Sequence, residues 1–316
     1  MLNHKICNAK SFHKVLLTVI LPTYNPNLNR LNEALRGLKN QLLSKDEWEL
    51  IIVDNNSNNE FQKTLDLTWH ANAKIIREAK QGLTYARLKG FKEASGDIIV
   101  MVDDDNLLDK NYLKNAVTFI NENQEVGACG GKSLPIFETT PPLWINTFYS
   151  NLALRDLGEI TKIASWDGKY PELAPIGAGM VLQKLALKSY IDIADQNISL
   201  TLDRTGNSLS SGGDNEIVIE VLKSGWSVGY VPCLVLHHII PKDRIETSYL
   251  AKLLNNTNKS WVQLLKKHNI NPWKTINVNL VFLHKAKAFF TYKAWKNSVN
   301  YIKWRGACGL FDGLVD

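Results

Sequence analysis

The chain has 316 residues, 45% hydrophobic and 22% charged, the proportions of a globular protein with room for one large α/β domain and an appendage, and no stretch approaches the ~18 apolar residues of a membrane span. Its net charge of +6 is uneven: residues 247–316 hold 11 basic and two acidic side chains, net +9, leaving 26 basic against 29 acidic residues and net −3 for residues 1–246, which argues against a uniformly basic nucleic-acid binder. Cys7, Cys129, Cys233 and Cys308 are scattered without CxxC spacing, which excludes a dense disulfide framework and suits reduced thiols in a cytoplasmic protein.

Residues 15–22 form an apolar run that reads as a strand, and Leu28, Leu31, Leu35, Leu38 and Leu42 recur at the spacing of an amphipathic helix over 28–43. A second strand over 50–53 ends in Asp54-Asn55-Asn56-Ser57; a helix over 61–69, a short strand over 73–76 and a helix over 83–94 follow. The strand over 98–102 runs straight into Asp103, Asp104, Asp105 and Asn106, and a helix over about 110–121 comes next. This β-α-β-α order predicts a parallel sheet with right-handed crossovers and helices on both faces. Thr23-Tyr24-Asn25, Asp54-Asn55 and the three acids then share the carboxyl edge of the sheet, where ligands of open α/β sheets bind. Adjacent carboxylates repel unless a cation compensates them, so these hard oxygen donors suit Mg²⁺ or Mn²⁺ with bound phosphates; an acidic turn capping the next helix is the plainer alternative.

Ile20-Leu21-Pro22-Thr23-Tyr24-Asn25, Val53-Asp54-Asn55-Asn56-Ser57, Gly82-Leu83-Thr84-Tyr85-Ala86-Arg87 and Val102 with the three acids and Asn106 resemble, in order, the successive motifs of family 2 glycosyltransferases. Gly177-Ala178-Gly179-Met180 and Gly212-Gly213-Asp214-Asn215-Glu216 extend the resemblance over residues 15–245. It implies an inverting enzyme with a GT-A fold, a Rossmann-like, mostly parallel central sheet flanked by helices. The implied division is a nucleotide-sugar-binding half over 1–130, an acceptor-binding and catalytic half over 131–245, and a helical extension over 246–316.

The resemblance also implies roles for single residues. Pro22, Thr23, Tyr24, Asn25, Asp54 and Asn55 hold the donor nucleotide, a UDP-sugar above others, and Gly82 with Arg87 belongs to the donor-binding helix, where a cation beside a diphosphate is favourable. The three acids resemble the Asp-x-Asp motif: Asp105 is the direct Mn²⁺ or Mg²⁺ ligand, Asp103 a metal or ribose contact, Asp104 a donor-side residue, and His238 a further ligand with His237 as its neighbour. Leu88 stands where many members have Asn. Asp214 is the general base of a single displacement, with Glu216 the alternative; the acid that often precedes the base is Gly213 here. A usual Gly-rich, Lys/Arg-bearing loop after the first strand is absent, which argues against a nucleotidyltransferase, while a non-catalytic GT-A subunit of a glycan assembly complex is the other function class in play.

Trp144, Trp166, Asp167 and Gly179 are the acceptor-side candidates, aromatic faces being suited to sugar C–H surfaces. The acceptor expected is a glycan or lipid-linked hydroxyl. Over 285–305, Lys alternates with Phe289, Phe290, Tyr292, Trp295, Tyr301 and Trp304 without an acid, the composition of helices that lie on an anionic membrane or pack their aromatics on the body. With 1–14 lacking an apolar signal-peptide core, the expected location is the cytoplasm, peripheral at the inner face of the cell membrane.

Overall fold

The computed structural model describes residues 15–196 and 212–315, so Cys7 and the rest of 1–14 lie outside the described residues. In chain order the elements are β1 (Leu17–Thr23), α1 (Leu28–Lys39), β2 (Trp48–Asp54), β3 (Ala73–Arg77), α2 (Leu83–Glu93), β4 (Ile98–Met101), β5 (Asn106–Leu108), α3 (Tyr112–Glu122), β6 (Val126–Phe137), β7 (Lys162–Ala164), β8 (Val181–Gln183), α4 (Lys188–Asp195), α5 (Gly213–Lys223), β9 (Ser227–Ile240), α6 (Thr247–Lys267), α7 (Val281–Thr291) and α8 (Ser298–Leu314).

The strands make one sheet in the order β3-β2-β1-β4-β8-β6-β9-β5, with β7 on β9. From β3 to β4 every pairing is parallel. Beyond β4 the sheet is mixed, because β8 enters antiparallel between β4 and β6, and β5 and β7 both run antiparallel to β9. The expectation of a mostly parallel sheet therefore holds for the first half and gives way to a mixed sheet in the second. β6 crosses the expected boundary at residue 130 and carries the sheet through it without a break.

The apolar runs are explained by two covered faces. Leu17, Val19 and Leu21 of β1, Leu50 and Ile52 of β2, and Ile98 and Val100 of β4 face a core closed by α1 and α3. Their alternate neighbours Ile20, Ile51, Val53, Ile99 and Met101 face a second core closed by α2, α4 and α5. Side chains alternate across a strand, so a strand buried on both sides must be apolar at every position.

Two helices differ from expectation. The predicted helix over 61–69 shrinks to one 3₁₀ turn, Phe61–Thr64, because Asp66 accepts from the backbone N–H and hydroxyl of Thr68 and its carbonyl takes the indole N–H of Trp69, a local polar turn that competes with helix. The first helix ends at Lys39 rather than residue 43; the Leu42 N–H is taken by the Lys110 carbonyl.

The helical extension packs on the body through a third core. Leu250, Ala251, Leu253 and Leu254 of α6 and Ile302 of α8 join Ile145, Phe148, Leu152 and Ile240. α6 and α8 approach closely because α8 offers Gly306, Gly309 and Gly313 along one stripe: a Cβ at Gly309 would lie 1.9 Å from the Asn255 carbonyl oxygen. Asn255 and Asn258 seal the contact by donating to the carbonyls of Arg305 and Gly306. Among the described residues no helix is long and apolar enough to cross a membrane.

Candidate active site

A cleft of about 490 Å³ opens at the carboxyl ends of β1, β2 and β4, a size within the roughly 300–1,000 Å³ of small-molecule sites. Register brings its first residues together, since Thr23 of β1 pairs with Asp54 of β2. Pro22, Thr23 and Tyr24 line one wall, joined by Asn55, Gln81 and Gly82. Asn55 is the clasp between two loops: its amide oxygen accepts the Gly82 N–H at 2.7 Å and its amide nitrogen donates to the Lys80 carbonyl at 2.8 Å. Gly82 leads into α2 at φ 134°, a conformation that side-chain-bearing residues rarely adopt.

Asp54 and Asn25, both expected to touch the nucleotide, do not line the cleft. Asp54 is buried, with one oxygen accepting the Ser57 N–H at 2.9 Å and the other the Gln62 amide at 2.7 Å. Asn25 sits at φ 46° and accepts from the Asn58 N–H. They shape the loops from which Thr23, Tyr24 and Asn55 face the cleft.

The acids Asp103, Asp104 and Asp105 all line the cleft and diverge in their partners. Asp103 faces the buried Arg87 of α2, 3.8 Å away. Asp104 accepts the Thr23 hydroxyl; burial first, and the Asp105 carboxylate second, push it up to about 7 against that hydrogen bond. Asp105 is turned toward β9. Antiparallel pairing sets Asn106 opposite His238, so Asp105 Oδ1 lies 3.4 Å from His238 Nε2 and its Oδ2 accepts from Arg244 Nη1 at 3.1 Å. Strand alternation decides between the two histidines: His238 is buried and lines the cleft, and His237 points to the other face.

The opposite wall carries Asp214 in the first turn of α5, with Asn215, Gly177 and Ala178. Asp214 Oδ2 accepts the Gly177 N–H and its Oδ1 the Asn215 N–H, both at 3.0 Å, so the carboxylate is fixed by two backbone donors. Gly177 sits between Asp214 and Arg87: a Cβ there would lie 2.9 Å from Asp214 Oδ2 and 3.0 Å from Arg87 Nη2. Only a residue without a side chain lets the two groups come this close. Glu216, the alternative base, is buried against Lys267 and does not line the cleft.

Of the acceptor-side expectations, none lines the cleft. Trp144 packs edge-on against Phe148 at 5.9 Å, Trp166 is half-buried against the second core, and Asp167 is exposed with its carboxylate on the Lys169 N–H. Gly179 is a turn residue at φ 71° whose carbonyl accepts the Tyr112 hydroxyl; a Cβ would meet Leu236 at 2.4 Å. That wall is instead built by Ser150, Asn151 and Ala153, by Arg244, and by Leu253 and Thr257 of α6. Arg244 had a signal available, a cation six residues after His238. The Ser150–Ala153 segment and the two α6 positions had none, since tertiary packing alone brings them to the cleft.

Asp105 and His238 suit one divalent cation in part. Among the described residues no three His, Cys, Asp or Glu groups are placed to hold one ion, so the chain offers this oxygen and this nitrogen, a spacing two ligands of one ion can take, and leaves the other positions to phosphate or water.

Residues 18–170 match the family model described as Glycosyl transferase family 2. Those residues have the sequence character of a family 2 glycosyltransferase domain. The chain is 37% identical over 97 residues to the dolichol-phosphate mannosyltransferase of Pyrococcus furiosus, covering 28% of this chain and 25% of that protein. It is 29% identical over 139 residues to the poly(ribitol-phosphate) β-N-acetylglucosaminyltransferase TarS of Staphylococcus aureus, covering 40% of this chain and 24% of that one. The chain thus spans about a quarter of the length of these two curated relatives. Among solved structures, residues 1–349 of S. aureus TarS in complex with UDP-GlcNAc superpose with a TM-score of 0.55 at 16% identity, over 94% of this chain and 89% of that one. Over that span the chain shares the fold of this structure, with a GT-A sheet and flanking helices followed by a helical extension.

Proposed function

We propose that the protein is an inverting glycosyltransferase that moves a sugar from a nucleoside-diphosphate donor, a UDP-sugar such as a UDP-N-acetylhexosamine, to a hydroxyl of a glycan or lipid-linked acceptor in polysaccharide or glycoconjugate synthesis. The observation that carries the reading is the placing of a backbone-fixed carboxylate, Asp214, on the wall of one cleft whose other wall holds Asp103, Asp104, Asp105 and His238. The structural neighbour bound to UDP-GlcNAc supports the donor class. Free Cys129, Cys233 and Cys308 agree with a cytoplasmic location.

In this reading Thr23, Tyr24, Asn55 and Gln81 hold the nucleoside end. Asp105 and His238 would hold Mn²⁺ or Mg²⁺, which when bound neutralises charge on the leaving diphosphate. Arg87 and Arg244 line the same stretch and supply fixed positive charge there. Asp214 accepts the proton of the acceptor hydroxyl as its oxygen attacks the anomeric carbon from the face opposite the diphosphate, so the configuration inverts.

The test is Asp214→Asn. Loss of a positioned general base should lower turnover by about 10²–10⁴-fold while UDP binding, measured by calorimetry, stays intact. Turnover equal to wild type would remove Asp214 from the mechanism.

A further inference from the structure

The helical extension carries an uncovered face that the glycosyl-transfer reading does not use. On α7 only Val281 and Ala288 are buried; Phe282 is 76% exposed, Leu283 60% and Phe290 66%, with Trp295 in the following turn at 61%. Phe282, Ala286 and Phe290 recur every four residues and Leu283 lies beside them, so these side chains form one stripe. Phe290 and Trp295 touch, ring centroids 5.9 Å apart, and both rest on Phe289, which is held from behind by Trp304 at 5.2 Å. The aromatic cluster is thus rigidly supported and still open to solvent.

Charge selects the occupant. Lys287, Lys293, Lys296 and Lys303 are exposed around this stripe, and no Asp or Glu occurs between Glu246 and Asp312. A second copy of this face would bring two basic patches together. An amphipathic helix with aromatics on one side and lysines at its flanks matches the boundary between acyl chains and anionic headgroups. A groove of about 390 Å³ between α7 and α8, lined by Phe282, Phe289, Phe290 and Trp304, continues the apolar surface.

We propose that Phe282, Leu283, Phe290 and Trp295, flanked by Lys287, Lys293 and Lys296, dock the protein on an anionic lipid bilayer. The docking face adjoins the cleft through α6, whose Asn255 borders the groove while Leu253 and Thr257 line the cleft. Docking itself does not depend on sugar transfer; that it presents a lipid-linked acceptor to the cleft rests on the reading above.

The experiment is co-sedimentation of the full chain with phosphatidylcholine vesicles, pure or mixed with phosphatidylglycerol, at low and high salt. Binding is expected only with the anionic lipid and falls with salt. Each lysine removed in Lys287→Gln, Lys293→Gln and Lys296→Gln should weaken it by about fivefold. Phe282→Ser with Phe290→Ser should weaken it by at least about tenfold. Both variants alter exposed side chains and should keep wild-type UDP binding and melting temperature. No binding to mixed vesicles, binding unchanged in both variants, or a wild-type dimer in solution that the Phe282→Ser, Phe290→Ser variant dissolves would each overturn the proposal. Vesicle binding is read without turnover, so its failure is distinct from failure of the transferase reading.

Discussion

Gly177→Ala tests whether the position of Asp214 sets the rate. The Gly177 backbone lies outside the positive-φ region, so alanine fits the chain and the effect isolates crowding. The new methyl would stand 2.9 Å from Asp214 Oδ2, where ordinary contact begins at 3.4 Å, so the carboxylate must withdraw by about 0.5 Å, the difference of those distances. The 3.0 Å bond from the Gly177 N–H then stretches toward the limit of a useful hydrogen bond, and Arg87 is pushed in the same way. Since about 1 Å of misplacement can cost on the order of 10²-fold in rate, half of it should lower kcat about tenfold. Overpacking should also cost roughly 1–3 kcal/mol of stability. The assay is donor turnover with saturating Mn²⁺, alongside UDP affinity by calorimetry. A kcat within twofold of wild type in a folded Gly177→Ala protein would refute the claim that the proximity of Asp214, Gly177 and Arg87 matters to the chemistry.

Arg244→Ala removes the guanidinium that pairs with Asp105 and lies 3.3 Å from His238 Nε2. A charge-assisted bond of this kind is worth about 1.5–3 kcal/mol, so Mn²⁺ without nucleotide should bind about tenfold or more tightly to the variant, while UDP binds more weakly; paramagnetic resonance titration reads the first, and unchanged Mn²⁺ affinity would show that Arg244 does not compete with the ion. Asp104→Asn probes the carboxylate held up to about 7 by burial and by Asp105. A raised acid destabilises the fold once the unfolded chain ionises, so its cost begins near pH 4, grows to about pH 7 and is full above it. The metal-free variant should therefore be more stable than wild type at pH 8, by on the order of a few kcal/mol, with little gain at pH 4; an equal melting difference at both pH values would contradict this.

Much of the cleft wall at the carboxyl edge of the sheet was legible because it is local. Apolar strands that end in Thr23-Tyr24, Asp54-Asn55 and the three acids must deliver those residues to one edge once the strands pair in parallel. The structure departs from the sequence expectation where a polar side chain serves its own loop: Asp54 bonds Ser57 and Gln62 away from the cleft lining, and Asp66 ends a helix that the apolar spacing favoured. Neither choice is visible without knowing which backbone and side-chain donors stand nearby.

The wall built by the 150–153 segment and α6 was not legible. Trp144, Trp166 and Asp167 have suitable chemistry and point elsewhere, while Ser150, Asn151, Leu253 and Thr257 have no distinguishing pattern and line the cleft. Sequence periodicity determined most of the strands and helices up to α3, that this part of the sheet is covered on both faces, and that acids stand at its carboxyl edge, because these follow from the repeat of side-chain direction along one segment. Only the tertiary structure decided that β9 and the turn after it set His238 and Arg244 on Asp105, that Gly177 lets Arg87 and Asp214 share one corner, and that α6 closes the wall. Those pairings join residues up to 139 positions apart, and the docking of packed faces, rather than any local spacing, selects them.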